Sequence, residues 1–131
     1  MTVVLDTNVM VAALVTNGLC HEVLHRAVRL RILASSTALM QELEATLQRK
    51  FKISPAVSAF LTTARRHIRL VEPVSLPMPV CRDTDDDVVL ATAVAAQANL
   101  IVTGDQDLLV LKSHAEIRIV SPREFLAWLD R

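Results

Sequence analysis

Two short apolar runs that each stop at an aspartate constrain this chain more than anything else in it. Thr2-Val3-Val4-Leu5 leads into Asp6, and Leu100-Ile101-Val102-Thr103 leads through Gly104 into Asp105. Neither run alternates apolar and polar positions as a half-solvated strand does, so each reads as a strand covered on both faces. Such strands belong to parallel sheets, whose neighbours must be joined by long crossovers, usually helices. The intervening sequence supplies the helices. Asn8 to Leu14 and Leu19 to Leu30 read as two helices broken at Asn17-Gly18, and Arg31 to Ser35 as a second strand. Ser36 to about Lys50 carries the stripe Leu39, Leu43, Leu47 at helical spacing. Ser54-Pro55 opens a helix to about His67, with Ser as cap and Pro in the first turn, followed by a strand over Arg69 to Glu72. Pro73 to Cys81 contains three prolines and reads as an extended connection. Asp86 to Ala98 is a helix apolar almost all round, hence largely buried. A strand at Arg118 to Val120 and a helix from Ser121-Pro122-Arg123-Glu124 to about Leu129 complete the chain. The expected fold is a three-layer α/β/α sandwich with a central, mainly parallel sheet.

The 131 residues fit one domain over residues 1–131, and 52% of them are hydrophobic with only two glycines, which excludes a disordered or fibrous segment. A mean hydropathy of +0.39 raises the membrane question. No run approaches the roughly 18 apolar residues of a spanning helix; the richest window, Leu90 to Val102, is interrupted by Gln97 and Asn99. The N-terminus has no basic segment, and Asp6 and Asn8 break its apolar run, so no signal peptide is expected and the location reads as cytoplasmic. Cys20 and Cys81 form no CxxC pair and read as reduced, idle thiols. The formal net charge is zero, but the charges are segregated: ten Lys/Arg against four Asp/Glu from Cys20 to Arg82, then six Asp and no Lys or Arg from Asp83 to Asp107.

In open α/β sheets, ligands sit beyond the carboxyl ends of the strands, where Asp6 and Asp105 fall. The cluster Asp83-Thr84-Asp85-Asp86-Asp87 stands at the start of the buried helix. Taken singly these acids are ordinary: Asp85 or Asp86 as a helix cap, Asp105 and Asp107 as turn residues. Three acidic features converging on one sheet edge repel one another unless a cation offsets them. An all-oxygen donor set favours a hard ion such as Mg2+, which activates water and stabilises charge on a phosphate.

The pattern resembles the PIN domain family. Leu5-Asp6-Thr7-Asn8-Val9 is similar to its opening. Asp83-x-x-Asp86-Asp87-x-x-Leu90-Ala91-x-Ala93, followed by Leu100-Ile101-Val102-Thr103-Gly104-Asp105-x-Asp107-Leu108-Leu109, is similar to its close. Leu39-x-x-Glu42-Leu43-x-x-x-Leu47 resembles its mid-chain helix. The nearest resemblance is to the toxins of VapBC-like toxin–antitoxin pairs. It implies an endoribonuclease using Mg2+ or Mn2+, with Asp6, Glu42, Asp86 and Asp105 as catalytic acids and Asp6, Asp86 and Asp105 as metal ligands. Thr7, Asn8, Thr103, Asp107 and Asp87 would support them, with Asp83 a further candidate. It also implies an RNA substrate, an antitoxin partner and a homodimer. Periodicity alone leaves Glu42 and Glu44 equivalent, about 100° to either side of the leucine stripe; only the motif favours Glu42.

Three other readings compete. His21-Glu22-Val23-Leu24-His25 spells the HExxH of zinc proteases, but no downstream motif offers a third ligand and the acidic clusters would go unexplained. A non-catalytic binding module would not need all four acids. A DNA-directed nuclease would use the same chemistry. The basic residues Arg26, Arg29, Arg31, Arg49, Lys50, Lys52, Arg65, Arg66 and Arg69 read either as a phosphate-contacting rim or as solvated helix faces. With no Tyr, three Phe and one Trp, base stacking has little to work with. The high apolar content predicts an interface, at Met10, Val11, Leu14 and Leu19 or at Val57, Phe60 and Leu61.

Overall fold

The computed structural model describes residues 1–131. Six strands form one sheet in the order β3-β2-β1-β4-β6-β5. They are β1 Val3–Leu5, β2 Leu33–Ser36, β3 Arg69–Val71, β4 Leu100–Val102, β5 Ser113–His114 and β6 Ile117–Val120. All pairs are parallel except β5 with β6. Seven helices flank the sheet: α1 Thr7–Val15, α2 Leu19–Arg29, α3 Thr37–Lys50, α4 Pro55–Arg65, α5 Thr84–Ala95, α6 Gln106–Leu109 and α7 Pro122–Leu129. The expected α/β/α sandwich is the observed one.

The uniformly apolar strands divide their side chains between two cores, as the two-residue period of a strand requires. Val3 and Leu5 of β1 join Leu33, Leu100 and Val102 against α1, α2, α3 and Phe125 of α7. Val4, Ala34 and Ile101 point the other way, against Val89, Leu90 and Ala93 of α5 and Leu108 of α6. Helix α5 buries Val89 through Ala93 without interruption, which explains why its sequence shows no amphipathic stripe.

Three details differ from the sequence expectation. Helix α5 begins at Thr84, capped by Asp83, whose carboxylate accepts the Asp85 N–H at 2.9 Å; neither Asp85 nor Asp86 is the cap. Strand β5 is an addition. Its two-residue turn to β6 places Ala115 and Glu116 at φ 50° and 67°, the left-handed geometry that Asn-Gly normally announces, so the sequence carries no hairpin signal. Two residues expected at an interface lie in the core instead: Met10 is 2% and Leu61 8% exposed. Leu19, by contrast, is 41% exposed. No helix is long and apolar enough to cross a membrane.

Candidate metal centre

From β1 the sheet grows outward through β2 and β3 on one side and begins with β4 on the other, so the strand order reverses between β1 and β4. The crevice beyond the carboxyl ends of these two strands is where such sheets bind ligands. Register does the rest. Leu5 pairs with Val102, so the next residues on the two strands, Asp6 and Thr103, meet at the sheet edge. Asp6 is 5% exposed and caps α1 through Oδ1, which accepts the Val9 N–H at 2.8 Å. Its Oδ2 accepts a hydrogen bond from the Thr103 hydroxyl. The same hydroxyl oxygen accepts the Asp105 N–H at 3.0 Å, and Asp105 Oδ1 accepts the Asp107 N–H at 2.8 Å. One buried threonine therefore joins the acid after β1 to the acidic turn after β4.

Helix α5 points its N-terminus into this turn. Asp86, Asp105 and Asp107 each bring one carboxylate oxygen into a group whose members all lie within 4.8 Å of one another. The crowding registers in the acidities. Burial, then the charges of Asp105 and Asp83, push the Asp86 carboxyl up to about 6. Burial also raises Asp6, with the Thr103 and Val9 hydrogen bonds opposing it and the Asp105 charge adding to it. No lysine or arginine neutralises the group, because the ion pairs lie elsewhere, at Arg26–Asp130 and Arg65–Glu44. Asp86 Oδ2 is buried with no hydrogen-bond partner at all. A buried, unpartnered carboxylate oxygen carries a desolvation penalty that a cation removes. With only oxygen donors around it, the site fits a hard divalent ion of the Mg2+ or Mn2+ kind.

The remaining candidates differ in where the fold places them. Glu42, exposed on α3, accepts the Thr7 hydroxyl on Oε2 at 3.2 Å, which ties it to the residue after Asp6. Glu44 pairs with Arg65 of α4. Asn8 is exposed and lines, with Cys20, Gly104 and Asp105, a depression of about 270 Å3 beside the acids. Asp87 turns away: its Oδ1 accepts the Cys81 N–H at 2.8 Å, which pins the proline-rich connection to α5. Burial, and after it that carboxylate, push the Cys81 thiol up to about 12. Asp83 is occupied as the α5 cap. Asp107, expected only in support, stands in the converging group itself. The signal for it was the D-x-D spacing, since a capping turn that binds the N–H two residues on brings both carboxylates together.

His21 and His25 share a face of α2, with ring centroids 4.2 Å apart, as HExxH spacing requires. His21 Nδ1–H donates to the Ala13 carbonyl at 3.0 Å. Three converging metal-binding side chains occur at Asp86, Asp105 and Asp107 and not at the histidines, so the zinc-protease geometry is missing.

The PIN domain family profile matches residues 2–107, which takes in β1 through the first residues of α6, with Asp6, Glu42, Asp86, Asp105 and Asp107 among them. No curated protein and no solved structure is significantly similar to the chain. Strands β1 to β4, the switch point and the converging acids lie inside the matched region, and the chain belongs to the PIN domain family.

Proposed function

We propose that this protein is a Mg2+- or Mn2+-dependent endoribonuclease, the toxin of a toxin–antitoxin pair. One observation carries the nuclease reading: Asp86, Asp105 and Asp107 converge beside Asp6 at the sheet's switch point, with Asp86 Oδ2 buried and unpartnered. Asp6, Asp86 and Asp105 would hold the ion, with Asp107 within reach, and the ion would supply charge stabilisation at the scissile phosphate and an acidified water.

The chain's own residues prepare that site. The Thr103 hydroxyl fixes Asp6 in one orientation and holds the Asp105 backbone against it. Thr7 occupies Oε2 of Glu42 and leaves Oε1 to orient a water and take its proton. The excess of Lys and Arg between Cys20 and Arg82 supports a polyanionic substrate. The choice of RNA, the toxin role and an antitoxin partner follow from the resemblance of the acidic motifs to VapBC-like toxins. A homodimer agrees with exposed apolar side chains such as Leu19, Met78 and Val110. Two free cysteines agree with a cytoplasmic location.

The test is cleavage of an end-labelled RNA and of DNA of the same sequence, with and without Mg2+ or Mn2+, by the wild type and Asp6→Asn. Metal-dependent RNA cleavage lost in the variant supports the reading. Equal cleavage of DNA makes it a general nuclease, and no cleavage of either polymer makes it a binding module.

A further inference from the structure

The cavity between α2 and α4 takes no part in the carboxylate site, and its walls carry the opposite charge. It encloses about 540 Å3 and gathers His21, His25 and Arg29 from α2, Arg31 from the turn that follows, and His67 from the turn after α4. Glu22 lines it too, yet pairs with none of them, because the protein's ion pairs are Arg26–Asp130 and Arg65–Glu44. Two arginines and three histidines thus line one space against a single carboxylate, Glu22, which forms no ion pair with any of them. Burial, then the neighbouring His21, hold the pKa of His25 below its ordinary value, with Glu22 opposing and Arg29 adding to the effect. An anion in the cavity would relieve this crowding, as a cation relieves the carboxylates at the other site.

The walls are held in place. His21 is anchored by its bond to Ala13, and the His25 ring lies against Phe60 with centroids 5.0 Å apart. Arg31 closes α2 in the left-handed conformation, at φ 58°. There the Ile32 N–H donates to Ala27 O at 3.2 Å and the Arg31 N–H to Val28 O at 3.0 Å. That closure favours glycine, and an arginine occupies it at a conformational cost. Its guanidinium is what glycine lacks.

Helix α2 also links the two sites. Cys20, at its start, lines the depression beside Asp105, and Arg29, at its end, lines this cavity. The rise between them is about 14 Å at ~1.5 Å per residue. Resting on the nuclease reading above, we propose that this cavity binds a phosphodiester of the RNA strand flanking the bond held at the carboxylates. Arginine suits that group because its fork meets two phosphate oxygens at once.

The experiment is fluorescence anisotropy of a labelled oligouridylate with the full chain, in chelator so that nothing is cleaved, across a range of salt. The comparison is wild type against Arg29→Gln/Arg31→Gly, with Arg31→Gly also measured alone. The pair should bind about tenfold more weakly. Its slope of log K against log salt should fall by about 0.7, the contribution of the one single-strand phosphate no longer neutralised. Arg31→Gly should weaken binding while leaving the melting temperature equal or higher, which a structural arginine would not do. Unchanged affinity and slope in the pair overturn the proposal and leave the nuclease reading standing. Displacement of RNA by oligoglutamate through these arginines more strongly than by oligouridylate assigns the cavity to an acidic protein segment and overturns it too. Absence of RNA binding by the wild type also overturns the proposal, whereas the nuclease reading falls only if the metal-loaded protein cleaves no RNA.

Discussion

Asp86→Asn should make the metal-free protein more stable while destroying its response to metal. The carboxyl is raised from 3.8 to about 6 by burial and by the charges of Asp105 and Asp83. Because the folded-state value lies above the unfolded one, the native protein holds an extra proton between about pH 4 and pH 6. Ionised Asp86 therefore subtracts from stability, fully above about pH 6, and the penalty vanishes as the pH falls below 3.8. At ~1.36 kcal/mol per unit, the unscreened penalty is about 3 kcal/mol. Solvent screening at a partly open site reduces it to about 1–2 kcal/mol. Asparagine keeps the shape and removes the charge, so in chelator near neutral pH the variant should melt higher by roughly 4–8 °C. The gap should close as the pH falls from about 6 towards 4, where the wild-type carboxyl protonates. Added Mg2+ or Mn2+ should reverse the order, since an ion at about 100 times its Kd stabilises the wild type by ~2.7 kcal/mol and the variant far less. Differential scanning fluorimetry across pH, with and without metal, measures all of this. A metal-free variant that melts at or below wild type near neutral pH would refute the repulsion argument, and equal metal shifts in both proteins would refute the site.

Four further outcomes are expected. Asp6→Asn should lose RNA cleavage by orders of magnitude while remaining folded, read by initial rates at saturating metal. Thr103→Val should weaken metal binding about 10- to 100-fold because it removes the hydroxyl that joins Asp6 to Asp105, whereas Thr103→Ser should restore it; titration calorimetry distinguishes them. Chelation of zinc that spares Mg2+ should leave cleavage intact, because the HExxH histidines lie outside the converging acids, and loss of activity on such chelation would reopen the zinc reading. Light scattering should give a dimer, and expression without a partner should arrest growth; a clean monomer, or harmless expression of an RNA-cleaving protein, removes the corresponding part of the proposal.

Much of the candidate site's framework was legible because it rests on local rules. An apolar run that ends at Asp6 marks a buried strand and what lies at its end, and Ser121-Pro122-Arg123-Glu124 spells a capping box that forms as written. The mid-chain acid was legible only from the motif. Glu42 and Glu44 flank the same stripe symmetrically, and what separates them is that Thr7 reaches one and Arg65 the other. Those partners come from helices distant in sequence, which no periodicity contains.

Local sequence also fixed the layering, since strands apolar on both faces demand helices on both sides. It did not fix which strands are neighbours. The placement of β4 beside β1, the Leu5–Val102 register that sets Thr103 against Asp6, and the turning of Asp87 away to hold Cys81 arose only in the folded sheet. The physical reason is range. Caps, turns and burial patterns are decided within a few residues, whereas the meeting of the carboxylates depends on pairing between segments nearly a hundred residues apart.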